Sequence, residues 1–438
     1  MITFVPSPHL LDSPRGRDWP RLPKATAPGR DPQPSGTVDV VIVGAGPAGL
    51  AVASALWHRG ITDLVLLDRE TRPCARFFRR IDTLNQRVLR SPYEHHPGVE
   101  GFRDCELVDF ARLHWGLLTP VERNEIRMSQ AGHRSVVPVD VFEAYCAHLI
   151  ASHHIAHRFR QAEVREIVPG PGHVTVHTDS VRVRARAVVL CTGEERTSAP
   201  RDWFGERGMP ANVSYWDEAV PMGTGSLAVI GAGLTAAHLV TAGLTAGRRV
   251  SWVMRESQER YQCADVNSTF FRPEGRARFG NVGWADRISM LGQYRRASIM
   301  FEFRPRFEAA EADGTLSVHR GLPVTSIRAG SGGRTSIVLG DGSTVAADQV
   351  KLAIGTTPML GDELMAPGFA GLRDGWPDLD ERSLGYRNAP RVFTVGAAAG
   401  MVLGPAARNI DGHRFGTARV AAAVHATLGA PDRAAAYV

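Results

Sequence analysis

Two stretches of the sequence decide the fold: VVIVGAGPAGLA at residues 40–51 and LAVIGAGLTAA at residues 227–237. Each begins with an apolar run typical of a buried parallel strand, continues with two glycines one residue apart, and ends in small residues that open a helix. A second apolar strand follows each helix, ITDLVLLD after the first and RRVSWVMR after the second. Each stretch therefore starts a βαβ unit, and we predict an α/β protein with two Rossmann-like dinucleotide-binding domains.

The first unit carries the pattern G-x-G-x-x-G in Gly44, Gly46 and Gly49. Glycine lets the backbone approach a pyrophosphate, whose charge then meets the N-terminal amides of the helix. Asp68 ends the next strand, 24 residues after Gly44, where an acid accepts hydrogen bonds from both hydroxyls of an adenosine ribose. The alternative is a glycine-rich turn without a ligand, but strand, glycines, helix and acid in register favour a dinucleotide.

The second unit reads G-x-G-x-x-A in Gly231, Gly233 and Ala236, and the position equivalent to Asp68 holds Arg255. A guanidinium pairs with the 2′-phosphate that a carboxylate would repel, so we predict NADPH here. A solvated arginine is the alternative, and the neighbouring Glu256 leaves NADH open. Since nicotinamide delivers a hydride that something must receive, we expect the first unit to hold FAD.

The second unit lies inside the sequence of the first domain, which predicts a domain inserted into a domain. We expect an extended N-terminal arm at residues 1–36, which contain eight prolines. The FAD-binding domain is predicted at residues 37–215 and 346–438, and the NADPH-binding domain at residues 216–345.

The composition excludes several classes of protein. The chain has 438 residues, a net charge of +6 and only two lysines, without a dense basic cluster, so nucleic-acid binding is not expected. No secretory signal and no apolar run long enough for a membrane helix is found. The five cysteines show no zinc-binding spacing, so we expect free thiols, no metal and a cytoplasmic protein.

Beyond residue 38 the sequence resembles the two-dinucleotide-binding-domain flavoproteins. LCTGEE at residues 190–195 and LAIGTTP at residues 352–358 look like the segments that cross between the domains in that superfamily. Its disulfide reductases use a redox cysteine pair, which is missing here, and a Gly-Asp pair, which is replaced by Gly396-Ala397. The likeness therefore favours another branch, the class B flavin-dependent monooxygenases.

The fingerprint of that branch, F-x-G-x-x-x-H-x-x-x-W, is similar to ERGMPANVSYW, in which Gly208 and Trp216 match and Asn212 replaces histidine. A further segment, VNSTFFRPEG, resembles one in microbial N-hydroxylating lysine and ornithine monooxygenases, where an asparagine positions nicotinamide and substrate; Asn267 matches it. The segment that bears a lysine near the flavin in those enzymes corresponds to NQRVLRSPYEHHPG, which has none.

The resemblance implies a reaction cycle and candidate residues. NADPH reduces FAD, O₂ adds to give a C(4a)-hydroperoxyflavin, and one oxygen passes to the substrate, so catalysis depends on positioning and exclusion of water rather than on an acid–base dyad. The candidates for the wall facing the flavin are Gln86, Arg87, Ser91 and Asn267, with polar surface roles as the alternative.

The C-terminal stretch passes the flavin in this superfamily, which implies cofactor contacts from Gly396 and Asn409, with a plain capping turn as the alternative. The adjacent His95 and His96 are predicted to be structural, since neighbours in a turn rarely converge on one metal ion.

We therefore predict a monooxygenase that uses FAD, NADPH and O₂ to hydroxylate the nitrogen of a small amine or amino-acid-derived substrate. Baeyer–Villiger or sulfur oxygenation, a plain NAD(P)H oxidase or flavin reductase, and a non-catalytic flavin-binding regulator stay open as alternatives. The sequence leaves the substrate undetermined, and it is compatible with a homo-oligomer.

Overall fold

The computed structural model describes residues 7–20, 36–102, 105–221 and 223–429. The strands, in chain order, are β1 (Thr37–Val43), β2 (Leu64–Asp68), β3 (Val88–Leu89), β4 (Val137–Pro138), β5 (Phe159–Gln161), β6 (Val164–Gly170), β7 (His173–Thr178), β8 (Arg182–Leu190), β9 (Glu194–Arg196), β10 (Val213–Tyr215), β11 (Leu227–Ile230), β12 (Val250–Val253), β13 (Leu316–His319), β14 (Val324–Ala329), β15 (Thr335–Leu339), β16 (Thr344–Ala347), β17 (Gln349–Leu352), β18 (Thr356–Pro358), β19 (Leu372–Arg373), β20 (Trp376–Pro377), β21 (Gly385–Tyr386) and β22 (Ala389–Thr394).

The α-helices, in chain order, are α1 (Pro47–His58), α2 (Ala75–Thr83), α3 (Leu107–Leu113), α4 (Pro120–Gln130), α5 (Val139–Ser152), α6 (Ile155–Arg158), α7 (Leu234–Thr245), α8 (Pro273–Gly280), α9 (Trp284–Tyr294), α10 (Arg304–Ala312), α11 (Gly400–Leu403) and α12 (Ile410–Leu428). Among the residues described, none of these helices is both long and apolar enough to cross a bilayer.

The first domain is built on a sheet with the strand order β21-β22-β8-β1-β2-β5, extended by the antiparallel hairpin of β6 and β7. Its central strands are parallel, with Val40 opposite Leu64 on one side and Ala187 on the other. Helices α1 and α12 pack against each other, and α12 also contacts β8 and β22. The strand β22 lies beside β8 although some 200 residues separate them, which confirms that the first domain is formed from two separate parts of the chain.

The second domain has an entirely parallel sheet with the order β10-β17-β11-β12-β13. A smaller antiparallel sheet of β14, β15 and β16 precedes β17 in the chain. The parallel sheet includes Val213–Tyr215 and Gln349–Leu352, with Tyr215 opposite Leu352, so it extends beyond the predicted limits of 216–345 at both ends. These strands are short and lie at the domain junction, where the sequence offers no turn signal to separate them from the crossings.

The chain passes between the domains twice, and the two crossings run side by side. Strand β9 of the outgoing crossing pairs antiparallel with β18 of the returning one, with Glu195 opposite Thr357. A further backbone hydrogen bond runs from the N–H of Thr197 to the carbonyl oxygen of Gly355 (3.0 Å). These segments are the two that the sequence identified as crossings.

The described part of the predicted N-terminal arm, residues 7–20, is anchored to both domains. A 3₁₀ helix at Pro8–Asp12 buries Leu10 in the apolar core of the second domain. The guanidinium of Arg17 pairs with Glu122 and Asp140 of the first domain, each at 2.6 Å. This part of the arm is therefore integrated into the fold, and the rest of it, residues 1–6 and 21–35, lies outside the described residues.

Candidate functional site

The first glycine-rich turn leaves room above the start of α1. Gly44 has a φ of +96°, and a Cβ there would lie 2.3 Å from the carbonyl oxygen of Cys191 on the neighbouring strand end. A Cβ on Gly49 would lie 2.0 Å from the carbonyl oxygen of Gly44, so these two glycines are required by close backbone packing. Gly46 is the N-cap of α1 without a side-chain cap, and a Cβ there would meet no atom within 4 Å. The uncapped helix start and the space above Gly46 fit a phosphate group.

Asp68 is held at the edge of this turn. One carboxylate oxygen accepts a hydrogen bond from the N–H of Ala45 (2.7 Å), and the other accepts one from the N–H of Glu70 (3.0 Å). Two backbone donors thus fix the carboxylate at the end of β2, next to the glycines, as the ribose-binding role requires.

The second glycine-rich turn repeats this arrangement. Gly231 has a φ of +138°, and a Cβ there would lie 2.2 Å from the carbonyl oxygen of Ala353. Gly233 is the N-cap of α7 without a side-chain cap, and Ala236 is fully buried where the helix meets the sheet. The side chain of Arg255, just beyond β12, is 83% exposed, and its Nε lies 3.7 Å from Glu256. This weak contact leaves the guanidinium available to a phosphate.

A cavity of about 1390 Å³ opens from the second turn. Its wall includes residues 231–235 of the second domain, residues 90–92 and 408–410 of the first domain, and residues 353–356 of the returning crossing. A ligand that binds at Gly231 and Gly233 therefore extends toward segments of the first domain.

The lining of the cavity has an excess of positive charge, because it contains more arginines than carboxylates. The acids are Glu94, Glu256 and Asp265. The arginines are Arg90, Arg134, Arg255, Arg272, Arg295, Arg296 and Arg408. Such a lining attracts a phosphate-bearing nucleotide and disfavours a second cation near it.

One end of the cavity is organised by a closed network of three side chains from both domains. Arg295 donates to Oδ1 of Asn409 (2.9 Å) and forms an ion pair with Asp265 (2.9 Å). Asn409 in turn donates from Nδ2 to Oδ1 of Asp265 (2.9 Å). Burial alone would raise the pKa of Asp265, but the charges of Arg295 and Arg90 and the hydrogen bond from Asn409 together lower it. The network therefore holds a charged carboxylate and fixes the amide of Asn409.

Arg90 forms another part of the wall. Its guanidinium donates to Oγ (3.0 Å) and to the carbonyl oxygen (2.5 Å) of Ser298, across the domain junction. Its buried Nε has no hydrogen-bond partner among the described residues. Arg90 is thus a fixed buried cation with one donor unused by the protein.

His95 and Asp411 form a contact that the sequence did not predict. The Nε2 of His95, which lines the cavity, lies 3.5 Å from Oδ1 of Asp411 in the first turn of α12. Burial lowers the pKa of His95 to about 3 and raises the pKa of Asp411 to about 6. His95 lines the cavity and Asp411 lies behind it, outside the residues that line the wall. The expectation that catalysis uses no acid–base dyad stays a prediction. The neighbouring His96 bonds to Glu106 (2.8 Å), in agreement with a structural role.

The predicted catalytic residues do not converge on the cavity. Asn267 is exposed, and its Oδ1 accepts hydrogen bonds from the N–H (3.0 Å) and Oγ1 (2.8 Å) of Thr269, as the cap of a short 3₁₀ helix. Gln86 donates to the carbonyl oxygen of Val88 (2.7 Å), and Arg87 lines a separate cavity of about 240 Å³. Their catalytic roles stay predictions, and the structure places Ser91 in the wall of the main cavity instead.

The structure places the two predicted C-terminal contact residues in different surroundings. Asn409 is the N-cap of α12 and lines the cavity. Gly396 is buried with a φ of +82°, and a Cβ there would lie 3.5 Å from Nε2 of the partly buried His413. The contact of Gly396 with a cofactor stays a prediction.

Sequence reasoning missed the residues that shape the cavity, Arg90, Asp265, Arg295 and Arg408. Arg90 lies three residues after Arg87, and Asp265 lies two residues before Asn267, so the predicted residues lie in the sequence close to residues that line the cavity. Arg295 and Arg408 carry no motif of their own. The sequence pattern around an arginine in an irregular segment does not indicate that the arginine lines a cavity. Only the fold shows that these residues share one cavity wall.

The comparisons with known proteins agree with this architecture. Residues 38–268, more than half of the chain, match the pyridine nucleotide-disulphide oxidoreductase family. No curated protein matches the chain in sequence.

Solved structures share the fold over most of the chain. They include the FAD-bound cadaverine monooxygenase of desferrioxamine biosynthesis from Erwinia amylovora, with 13% identity, a TM-score of 0.70 and coverage of 91% of this chain and 97% of that one. The ornithine hydroxylase of Pseudomonas aeruginosa has 17% identity, a TM-score of 0.70 and coverage of 90% and 100%. The ornithine N-hydroxylase of Kutzneria sp. 744, solved with reduced FAD, NADP⁺ and L-ornithine, has 17% identity, a TM-score of 0.68 and coverage of 89% and 99%. These likenesses confirm the predicted fold of two dinucleotide-binding domains.

Proposed function

The chain belongs to the pyridine nucleotide-disulphide oxidoreductase family, and on this premise we propose that it is an FAD-dependent, NADPH-consuming monooxygenase. In the proposed reaction one atom of O₂ is transferred to the nitrogen of a small amine or amino-acid-derived substrate, and the other atom leaves as water. The fold shared with cadaverine and ornithine hydroxylases supports this choice among the reactions of flavoproteins.

The first turn fits FAD. Gly46 leaves open space at an uncapped helix start for the pyrophosphate, and Asp68 presents a fixed carboxylate for the adenosine ribose. Bound FAD supplies the redox chemistry: it accepts a hydride from NADPH and activates O₂. The chain contributes the binding, the orientation and the electrostatic surroundings.

The second turn fits NADPH. Gly233 leaves the start of α7 free for the pyrophosphate, and the exposed guanidinium of Arg255 suits a 2′-phosphate. The excess of arginines in the cavity favours a nucleotide with several negative charges.

The observation that carries the proposal is the single positive cavity that begins at the NADPH turn and ends against the first domain. An amine must be neutral to attack oxygen, because an ammonium ion has no lone pair. Nearby cations lower the pKa of a bound amine, and the wall contains Arg90, which is held by Ser298, together with Arg272 and Arg296. The charges of Arg295 and Arg408 are balanced by Asp265 and Glu194. The charges of Arg90, Arg272 and Arg296 hold the anionic nucleotide and keep the substrate in its reactive form.

Four of the five cysteines are buried, and no disulfide joins any two of them in the part of the chain that the structure describes. Free thiols are typical of proteins in a reducing compartment, which supports the proposed location in the cytoplasm.

The test is turnover by the FAD-reconstituted protein with NADPH, O₂ and a panel of diamines and basic amino acids. We expect one amine to accelerate NADPH oxidation and to yield a product about sixteen mass units heavier, the mass of one oxygen atom. A hydroxylamine-specific colour reaction identifies the oxygenated nitrogen. A parallel panel of ketones and sulfides separates N-hydroxylation from the other oxygen transfers.

Two results would contradict the proposal. Release of one hydrogen peroxide for each NADPH with every amine identifies a plain oxidase. Failure of the folded protein to bind FAD at all removes the basis of any flavin chemistry.

A further inference from the structure

Three potential metal ligands converge at the end of α1 that lies farthest from the glycine-rich turn. His58 is the last residue of α1, His153 is the C-cap of α5, and Cys105 lies just before α3. Cys105 and His153 are buried, and His58 is partly buried. With about 1.5 Å of rise per residue, the twelve residues of α1 separate this cluster by about 18 Å from the phosphate-binding end of the helix.

The distances among the three donor atoms match those around a tetrahedral ion. The Nε2 atoms of His58 and His153 are 3.2 Å apart, and Sγ of Cys105 lies 3.2 Å from the former and 3.7 Å from the latter. Zinc bonds of about 2.0–2.1 Å to nitrogen and about 2.3 Å to sulfur place two nitrogens about 3.3 Å apart, and nitrogen and sulfur about 3.6 Å apart. The cluster therefore needs little rearrangement to surround one ion.

A single hydrogen bond between two of these atoms does not account for the triangle. An imidazole nitrogen has one in-plane position, either a lone pair or an N–H, so Nε2 of His58 can direct only one strong hydrogen bond. It nevertheless lies at 3.2 Å from both of the other donor atoms. An ion at the common centre would satisfy all three atoms at once.

The ring of His153 is also held in the orientation that a ligand needs. Its Nδ1 lies 3.1 Å from Oγ of the fully buried Ser54 on α1. A histidine ligand ordinarily has its second ring nitrogen bonded to a neighbouring group, which fixes the ring and leaves the other nitrogen for the metal. Ser54 occupies that position.

We propose that His58, Cys105 and His153 bind one divalent metal ion of the zinc class, which clips α1, α5 and the segment before α3 together. Two imidazole nitrogens and a thiolate are ligands that favour zinc over magnesium or calcium. Binding forms one metal–sulfur and two metal–nitrogen bonds, and the proton of the Cys105 thiol passes to solvent. A fourth position of the ion is left for a further donor such as water.

The proposed metal site is separate from the redox site and stabilises the fold. Its metal content can therefore be measured without enzyme turnover. The proposed site differs from the expectation of no metal, which was based on the spacing of the cysteines in the sequence. No pair of cysteines marks it, because its ligands come from three distant segments.

The test compares metal content and metal spectra in the full-length protein. Elemental analysis of protein purified with zinc is expected to give about one equivalent per chain in the wild type. Cys105→Ser and His153→Gln are expected to retain at least tenfold less. The matched controls are Cys263→Ser, at an exposed cysteine, and His157→Gln, at an exposed histidine next to α5, and both are expected to keep the full equivalent.

Cobalt gives a second readout, and its spectrum in the wild type does not depend on any variant. Wild-type protein loaded with Co²⁺ is expected to show the near-ultraviolet charge-transfer band of a thiolate ligand and the visible bands of tetrahedral cobalt. A chelator is expected to lower the Tm of the wild type but not that of Cys105→Ser. The proposal is overturned if the wild type binds neither ion more tightly than about micromolar, or if the cobalt spectrum lacks the thiolate band.

Discussion

Glu194 and Arg408 form a bidentate ion pair that ties the crossing between the domains to the segment before α12. The Nη2 of Arg408 donates to Oε2 of Glu194 (2.5 Å), and its Nε donates to Oε1. Arg408 also donates to Oγ1 of Thr356 on β18 (2.9 Å), so one guanidinium holds both crossing strands. Burial alone would raise the pKa of Glu194, but the hydrogen bond and charge of Arg408, together with the charge of Arg295 and the hydrogen bond from Thr356, lower it.

The first prediction concerns this pair. Glu194→Gln is expected to lower the free energy of unfolding by about 2 kcal/mol at pH 7, because it leaves the Arg408 charge partly buried without its counterion. Each side chain is 20% exposed, so we expect less than for a fully buried pair. Urea unfolding of the variant measures the loss. Glu195→Gln, at a more exposed partner of Arg76, is the control and is expected to lose less than half as much.

The pH dependence of the stability loss in Glu194→Gln follows from the lowered pKa of Glu194. The folded pKa of Glu194 lies below its ordinary value, so its contribution to stability is present above the ordinary glutamate range and is lost as the pH falls through the folded pKa. The difference between wild type and Glu194→Gln is therefore expected to shrink in acid. A difference that is constant from pH 7 to pH 3 would contradict the ion pair.

The second prediction separates glycines needed for packing from glycines needed for binding. Gly44→Ala is expected to prevent folding, because its φ is +96° and the new Cβ would lie 2.3 Å from a carbonyl oxygen. Gly46→Ala meets no atom within 4 Å and is expected to fold, but to bind FAD at least tenfold more weakly, since the methyl group occupies the phosphate space. Flavin absorbance after reconstitution and circular dichroism measure the two effects.

Gly233→Ala serves as the counterpart of Gly46→Ala. Its Cβ would lie 3.9 Å from that of Ala297, so the protein is expected to fold and to keep FAD while NADPH binding weakens. Two results would reverse the assignment of the two cofactors. One is loss of FAD binding in Gly233→Ala, and the other is loss of NADPH binding without loss of FAD in Gly46→Ala.

The third prediction concerns the choice of coenzyme. Arg255→Ala is expected to weaken NADPH binding by about 2 kcal/mol, roughly thirtyfold in Kd, and to leave NADH binding nearly unchanged, because it removes one charged phosphate contact. Titration of the FAD-loaded protein with each nucleotide measures both values. Arg249→Ala, at an exposed arginine of the same domain, is the control. A wild type that already prefers NADH would refute the role of Arg255.

The fourth prediction follows from the buried carboxyl group of Asp411. Burial, together with the charge of Glu100, raises its pKa to about 6, while Arg414 and Arg276 oppose the shift and His95 lies 3.5 Å away. A raised folded pKa means that its stabilising contribution is present in acid and is lost as the pH rises through about 6.

From pH 5 to pH 7.5, the wild type is therefore expected to lose about 1 kcal/mol of unfolding free energy relative to Asp411→Asn. Chemical unfolding across this range measures the difference. Parallel curves for the two proteins would show that Asp411 does not titrate there.

The sequence was sufficient for the fold because its signals are local. Gly44 and Gly231 each stand in an unbroken strand–turn–helix pattern, and the structure places both at positive φ against a neighbouring strand end. The two crossings were found for the same reason, since each is a short segment at the end of a buried strand. The ends of the inserted domain were less accurate because β10 and β17 are short and pair only with distant strands.

The residues that line the cavity could not be predicted from such local sequence patterns. The cavity wall brings Arg90, Arg295 and Arg408 together from segments about 110 to 320 residues apart, and charge in an irregular segment has no periodicity to interpret. The contact between His95 and Asp411 likewise depends on where α12 returns to the first domain. The resemblance around Asn267 pointed to a segment that borders the cavity. Only the fold shows that Asp265, in the same segment, lines the cavity wall.

The inserted arrangement of the chain sets an order for folding during synthesis. All five strands of the second sheet lie between residues 213 and 352, so that sheet is complete while the last segment is still in the ribosome. The first sheet must wait for β22 to dock beside β8, and until then the end of β8, at Val188–Leu190, has no neighbouring strand on that side, whereas its beginning is paired with β7. The domain that begins first is therefore the one that finishes last, the reverse of the usual N-terminal-first order of nascent multidomain chains.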